Sequence, residues 1–211
     1  MPAFLTALNP GWLLILAGVV AIFLPMRRVR QGIAIGAPLV GIALLALADQ
    51  NVNHLTASVM GLDLVLYRVD GLSFVFGLAF LIAALLNAIY AWHTDDRVQD
   101  GMALAYGGAA IAAAFCGDLM TLFIFWEITA VTSVFMVLGA GTRASYFASM
   151  RYLGFQILSG VLLLAGIAYV YNDTGNIGLQ VFEDLAAPGA LLIFIAFGIK
   201  AAFPFLHNWL Q

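Results

Sequence analysis

The stretch "LMTLFIFWEITAVTSVFMVL", residues 119–138, runs for twenty residues with one ionisable side chain, Glu127. About 20 apolar residues in an α-helix cover the ~30 Å hydrocarbon core of a bilayer, so the stretch reads as a membrane-spanning helix. The two-residue alternation of a barrel strand is absent, and a helix satisfies its own backbone in lipid. The glutamate then needs a reason, because a charge at the centre of a span costs about 2.5–3.5 kcal/mol on insertion scales.

The rest of the chain has the same texture. Apolar residues make up 64% and charged residues 9% of the 211, too little polar surface to solvate a globule of this size. Uncharged runs lie near 3–26, 31–48, 72–92, 101–117, 119–138, 152–171 and 188–206, the first starting between 3 and 11. This predicts an all-α integral membrane protein with about seven transmembrane helices. Residues 1–48 hold the first two, 49–70 form an outer loop, and 71–211 hold the third to seventh. The fourth run is short and rich in Gly and Ala, which suits close packing against other helices. Gly32 and Gly36 give the second run a G-x-x-x-G spacing with the same potential. Residues 62–69, "LDLVLYRV", alternate apolar and polar, as a short strand or interfacial segment does.

Basic residues in short loops are retained on the cytoplasmic side. Arg27, Arg28 and Arg30 follow the first run, and placing them inside also places Arg97, Arg143 and Arg151 inside, with Arg68 alone outside. The expected N-terminus is outside, in a bacterial inner membrane, and the seventh span runs inwards. The first run has no basic leader or cleavage site, so it is expected to be retained. Cys116 reads as a buried thiol, and His54 and His93 as loop-edge residues. No phosphate-cradling loop, metal-ligand cluster or nucleophile–histidine pair stands out. No catalytic residue, cofactor or metal is expected, and the charge of −3 gives no basic surface for nucleic acid.

The ionisable groups inside the spans carry the functional signal. Glu127 has Phe123, Ile124, Ala130 and Val131 as helical neighbours, none of which can bond it. The second group is Lys200, in "ALLIFIAFGIKAAFPFL", residues 190–206. Both helices enter from the same side. Glu127 lies nine residues beyond Asp118 and Lys200 twelve beyond Pro188, about 14 and 18 Å deep at 1.5 Å per residue. If the helices are neighbours, carboxylate and ammonium can pair near the midplane. Asp118 itself belongs at the membrane edge. Pro204 lacks an N–H and clashes with the carbonyl of Lys200, four residues back, which predicts a break in the seventh helix where transporters place ion sites. Desolvation and a nearby carboxylate act on a buried lysine in opposite directions, so it can both hold and release a proton. Thr129, Thr132, Ser133, Gln156 and Ser159 are candidates for orienting water, and His207 for a terminal relay.

The residues resemble a family: the antiporter-like membrane subunits of respiratory complex I and of Mrp-type sodium/proton antiporters. "GDLMTLFIFWEIT", 117–129, is similar to the family's fifth-helix segment, whose glutamate falls on Glu127. "GIKAAFPFLHNWL", 198–210, is similar to its broken seventh helix, whose lysine falls on Lys200. "YRVDGLSFVF", 67–76, and "YNDTG", 171–175, resemble weaker landmarks. The resemblance implies the first half of an antiporter-like inverted-repeat fold, with Glu127 and Lys200 opening a proton pathway. It implies partner membrane subunits, among them a chain supplying the second helical repeat, and transport of protons and Na+. The histidine-asparagine-tryptophan ending is closer to the D-like component of the Mrp antiporters than to the complex I chains. The alternatives are a proton-pumping subunit of a complex I-like or membrane hydrogenase complex and a non-transporting scaffold remnant. In a complex I-like assembly the chain would be part of an NADH:quinone oxidoreductase without redox centres of its own.

Overall fold

The computed structural model describes residues 8–207 and 209. Residues 1–7, which the first apolar run overlaps, and Asn208, Leu210 and Gln211 lie outside the described residues. The helices are α1 (Pro10–Phe23), α2 (Arg27–Ala46), α3 (Gly71–Tyr90, extended by a 3-10 turn Ala91–His93), α4 (Arg97–Ala114), α5 (Leu119–Leu138), α6 (Arg143–Thr174) and α7 (Pro188–Lys200). A hairpin of β1 (Val52–Val59) and β2 (Leu62–Val69) joins α2 to α3. Four helices, α2, α3 with its 3-10 turn, α5 and α6, are long and apolar enough to cross a membrane. Two more, α1 and α7, are apolar but shorter.

Most helix starts are written in the sequence. Asn9 accepts a hydrogen bond from the Gly11 N–H, with Pro10 in the first turn. Asp70 and Thr142 build capping boxes with Ser73 and Ser145, Asp96 caps α4 and Asp118 caps α5. Each supplies an acceptor to N–H groups that have no partner within the helix. α6 closes on Gly175, whose φ of 66° suits glycine.

Several boundaries differ from the apolar runs. α2 begins at Arg27, so the three arginines occupy its first turn and not a loop. α6 is 32 residues long and takes in Arg143, Arg151 and most of the "YNDTG" landmark. α7 stops at Lys200, short of the 206 expected. The outer segment is a β-hairpin, so the molecule is not wholly helical. β2 spans Leu62–Val69 as the alternation suggested. Its partner β1 reads as "VNHLTASV", mostly exposed, and offered no clean alternation.

Small residues decide which helices touch. Gly11 packs on Gly108 and Ala112, and Gly18 on Gly101 and Ala105, so α1 and α4 run antiparallel with backbones nearly in contact. A Cβ on Gly108 would stand 2.6 Å from the Gly11 carbonyl oxygen, which no side chain tolerates. Gly166 of α6 and Gly189 of α7 repeat the device: a Cβ on Gly166 would meet the Gly189 carbonyl oxygen at 2.9 Å. Gly32 and Gly36, by contrast, have open space around them, so the G-x-x-x-G of α2 is not a packing seam here.

The result is two apolar cores under one hairpin. Leu14, Ala37, Leu45, Leu81, Ile111 and Phe115 pack with Tyr67 and Val69. Trp126, Leu163, Ile167, Val170, Ile193 and Ala196 pack with Leu64. The hairpin end is sealed by backbone bonds, Arg68 N to Phe115 O at 2.8 Å, Gly117 N to Val65 O at 2.9 Å and Leu119 N to Ile177 O at 2.8 Å. At the opposite, arginine-rich end, the α1–α2, α3–α4 and α5–α6 links come together. Arg30, 1% exposed, bridges Asp95 and Asp100 there and also donates to Leu24 O. It is thus a buried strut between two links as well as a topology marker.

Candidate functional site

Glu127 sits near the middle of α5, whose 20 residues cover about 30 Å at 1.5 Å per residue. α7 enters from the hairpin end and has 13 residues, about 20 Å of rise. Its last residue, Lys200, therefore ends inside the molecule. The stop is a Schellman turn. Phe203 N–H donates to Gly198 O at 2.9 Å and Ala202 N–H to Ile199 O at 3.1 Å, with Ala202 left-handed at φ 54°. Pro204 follows two residues later, exposed in the turn. Trp209 folds back to donate its indole N–H to Ile199 O at 3.0 Å.

The Lys200 ammonium points at α5. It donates to Trp126 O at 3.2 Å and to Thr129 Oγ1 at 2.9 Å, and it stands 4.9 Å above the Trp126 ring, a cation–π contact. These anchors lie on either side of Glu127 in sequence. Among the described residues Glu127 and Lys200 form no ion pair within 4.0 Å.

The Glu127 carboxylate is turned towards α6. It occupies the space that a side chain at Gly160 would need, and its Oε1 is buried with no hydrogen-bond partner. An unpaired buried carboxylate oxygen is costly. The indole of Trp126 holds the three helices in register: Nε1 donates to Ser159 Oγ at 3.2 Å, and Ser159 donates to Ala196 O at 3.0 Å. The ring itself packs on Phe197 with centroids 4.8 Å apart.

The remaining candidates separate. Thr129 is on the lysine, and Ser159 is bonded to Trp126. Thr132 donates to Ile128 O in its own helix at 2.7 Å, as threonine in a span commonly does. Ser133 meets the Tyr152 hydroxyl at 2.8 Å. Gln156 is 1% exposed and its Oε1 lacks a partner. His207 is exposed beyond the turn and is not among the groups bonded to Lys200. Asp118 caps the start of α5 beside the hairpin and is fully buried there, accepting from Val65 N–H, Thr121 N–H and Thr121 Oγ1, each at 2.7 Å. Trp126, Tyr152 and Gly160 were missed by sequence reasoning, since an aromatic residue or glycine in a span is ordinary until its neighbour is known. Among the described residues no three His, Cys, Asp or Glu side chains gather as metal ligands would.

With that geometry in place, the chain can be set beside known proteins. Residues 116–211 match the NADH:quinone oxidoreductase/Mrp antiporter transmembrane family. The resemblance carried by the two long motifs is thereby shown. The D component of a Na(+)/H(+) antiporter from Bacillus subtilis is 25% identical over 144 residues, 61% of this chain and 29% of that protein. The N component of an NADH-quinone oxidoreductase from Deinococcus radiodurans is 24% identical over 159 residues, 67% and 32% of the two chains. The match therefore spans about a third or less of these relatives. Among solved structures, a chain of the archaeal membrane-bound sulfane sulfur reductase superposes with a TM-score of 0.76 at 21% identity, covering 95% of this chain and 35% of that one. A chain of Thermus thermophilus respiratory complex I gives 0.74 at 20% identity, covering 95% and 45%. These two likenesses establish a common fold.

Proposed function

We propose that this chain is the N-terminal, proton-translocating part of a membrane subunit in a multisubunit cation/proton antiporter, with all seven helices in the bilayer. The observation that carries this reading is a lysine ammonium at the inner end of α7, anchored on both sides of a half-buried glutamate whose buried Oε1 lacks a partner. Trp126 O and Thr129 Oγ1 hold Lys200 in a fixed place. Glu127 turns between the notch at Gly160 and the ammonium. Charge on the carboxylate favours the protonated lysine, and moving or neutralising it favours release. Other membrane subunits, including one that carries the second helical repeat, complete the path to the far surface, and Na+ is the counter-transported cation. His207 is assigned a relay beyond the turn, and Pro204 keeps the helix from resuming.

The relatedness to a component of an NADH-quinone oxidoreductase supports a second reading, in which redox chemistry in neighbouring chains drives proton pumping through this one. The same pair serves both. The test is proton flux in vesicles containing the assembled complex, with the amount of each subunit checked by immunoblot. Glu127→Gln and Lys200→Met are each expected to lower flux at least tenfold, and the double variant to add little, because groups acting as a unit are not additive. Near-normal flux in well-assembled Glu127→Gln would return the chain to a scaffold. Flux that requires Na+ without any electron donor favours the antiporter.

A further inference from the structure

A cleft of about 680 Å³ opens between α2, α3 and α4 and reaches Met136 near the end of α5. Below its mouth the wall is largely apolar: Phe80, Ala83, Ala84 and Ala88 on α3 stand across from Ala103 and Ala110 on α4. Glycine and alanine bring α1 and α4 into backbone contact, whereas between α3 and α4 they leave space. A Cβ on Gly107 would find only the Ala84 Cβ, at 3.7 Å. α3 is also the least buried of the four long spans. An empty groove forfeits dispersion contacts along its lining, so the depth and charge of this one decide what fills it.

The depth is that of one leaflet. From Asp96 at the mouth to Ala110 the cleft follows α4 for about 21 Å at 1.5 Å per residue, and half of a bilayer with its headgroups is about 20–22 Å. The mouth is cationic. A smaller hollow of about 370 Å³, lined by Arg27, Arg28, Gln31 and Trp92, shares Gln31 and Trp92 with the cleft. Trp92 O accepts from Arg27 Nη2 at 2.9 Å and from Gln31 Nε2 at 2.6 Å, which fixes the wall between the two spaces. Among the described residues neither Arg27 nor Arg28 has a carboxylate within 4.0 Å. The acids at the mouth are engaged elsewhere: Asp100 pairs with Arg30, and Asp96 accepts from the Val98 and Gln99 N–H groups. Trp92 and Tyr90 are 48% and 80% exposed, as aromatic side chains at a membrane–water interface are.

We infer that the cleft holds one anionic glycerophospholipid from the leaflet on the arginine-rich side. Its phosphate lies on Arg27 and Arg28, its ester region lies beside Trp92, and one acyl chain runs between α3 and α4 towards Ala110. Basic pockets between helices on the cytoplasmic side take anionic headgroups in this way. A helix of a partner subunit is the competing occupant. At 10–12 Å in diameter over the same length it would fill on the order of 1,600 Å³, more than twice the cleft. With its head on α2 and its chain between α3 and α4, the lipid ties together three helices that leave a gap among themselves. The inference needs the helices to lie in the bilayer, as proposed above, and is independent of the proton chemistry of Glu127 and Lys200.

The experiment uses the assembled complex in vesicles containing phosphatidylglycerol with a photoreactive diazirine on one acyl chain, and peptide mass spectrometry maps the cross-links. Labelling within 80–91 and 103–110 is expected, and at least tenfold less when phosphatidylcholine carries the same chain. Arg27→Gln combined with Arg28→Gln is expected to lower the phosphatidylglycerol labelling at least tenfold, and Ala103→Trp, which fills the cleft, to abolish it with both arginines in place. Arg27 also holds Trp92 O, so if the double variant fails to assemble, the exposed Arg28 decides: Arg28→Gln alone is expected to lower labelling at least threefold. Glu127→Gln is expected to label like the native chain, so failure of the proton reading leaves the lipid site standing. Equal labelling by the two lipids overturns the inference, and so does labelling that Arg28→Gln leaves unchanged. Labelling lost in inorganic phosphate at constant ionic strength assigns the arginines to a free anion and overturns it. Cross-linking of a photoreactive group on Ala88→Cys to another polypeptide gives the cleft to a partner subunit and overturns it as well.

Discussion

At the scale of single residues, Asp118 shows how far a charge can be from what its position suggests. It begins a span, and nine positions separate it from Glu127, so an exposed cap is the simple expectation. Instead it joins strand β2 to α5 through Val65 while capping the helix through Thr121. Asp118→Asn keeps one acceptor and turns the other into a donor facing donors. A loss of about 1–3 kcal/mol is expected, the penalty of a buried group left unsatisfied. Thermal unfolding of the complex in detergent, followed by loss of the intact subunit, measures it; an unchanged midpoint would contradict the assigned bonds. Glu127 and Lys200 were legible in sequence because each is a lone ionisable group in an apolar run. Their partners were not, because Trp126, Thr129 and Gly160 become relevant only once α5, α6 and α7 are side by side.

Helices and strands were legible where an apolar run or an alternation sets them. The runs near 72–92 and 119–138 match α3 and α5, and the alternation of β2 matches its strand; the caps that fix the starts, Asn9, Asp70, Asp96, Asp118 and Thr142, carry no hydropathy signal and were not read. Charged first turns were not legible from hydropathy, since Arg27 and Arg143 look like loop residues until a helix carries them towards the surface. The end of α7 depends on Ala202 in the left-handed region, where a Cβ is disfavoured by about 1–2 kcal/mol. Ala202→Gly is therefore expected to stabilise the turn by up to about 1 kcal/mol, offset by added freedom in the unfolded chain. It should slow hydrogen exchange at Phe203, and faster exchange would refute the strain.

The start of α3 has its own pH dependence. The Ser73 backbone N–H, with help from the Ser73 hydroxyl and Arg68, holds the Asp70 carboxyl below its usual value of 3.8 despite partial burial. A depressed folded value means that the stabilisation is present above the unfolded value and is lost as pH falls through the folded one. Exchange at the first turn of α3 is expected to accelerate below about pH 4 in the native chain. Asp70→Asn should lack that acid step, and a step that persists in it would assign the effect elsewhere.

Across the whole molecule the arginines segregate. Arg27, Arg28, Arg30, Arg97 and Arg143 lie in first turns at one end, and Arg68 lies on the hairpin at the other. By the retention of basic residues on the cytoplasmic side, a tag within 94–96 is expected to be cytoplasmic and one at Asp184 outside. Impermeant labelling of Asp184→Cys from the cytoplasmic face alone would invert the orientation. Of the seven apolar runs, four coincide with described helices long and apolar enough to cross a membrane, and the hydropathy of the Gly/Ala-rich α4 says little about where it sits. That came from Gly101 and Gly108 meeting α1.

Strand β2 has one residue, Leu64, in the core beside α5–α7 and two, Tyr67 and Val69, in the core beside α1–α4. Burial raises the Tyr67 phenol to about 12, so that anchor stays uncharged throughout the physiological range. A short extended strand has little slack, since neighbouring backbone bonds hold it to both Phe115 and Gly117. The hairpin therefore acts as a crossbar: tilting of the lysine-bearing bundle pulls on the glycine-packed pair, so motion in one half is felt mechanically in the other.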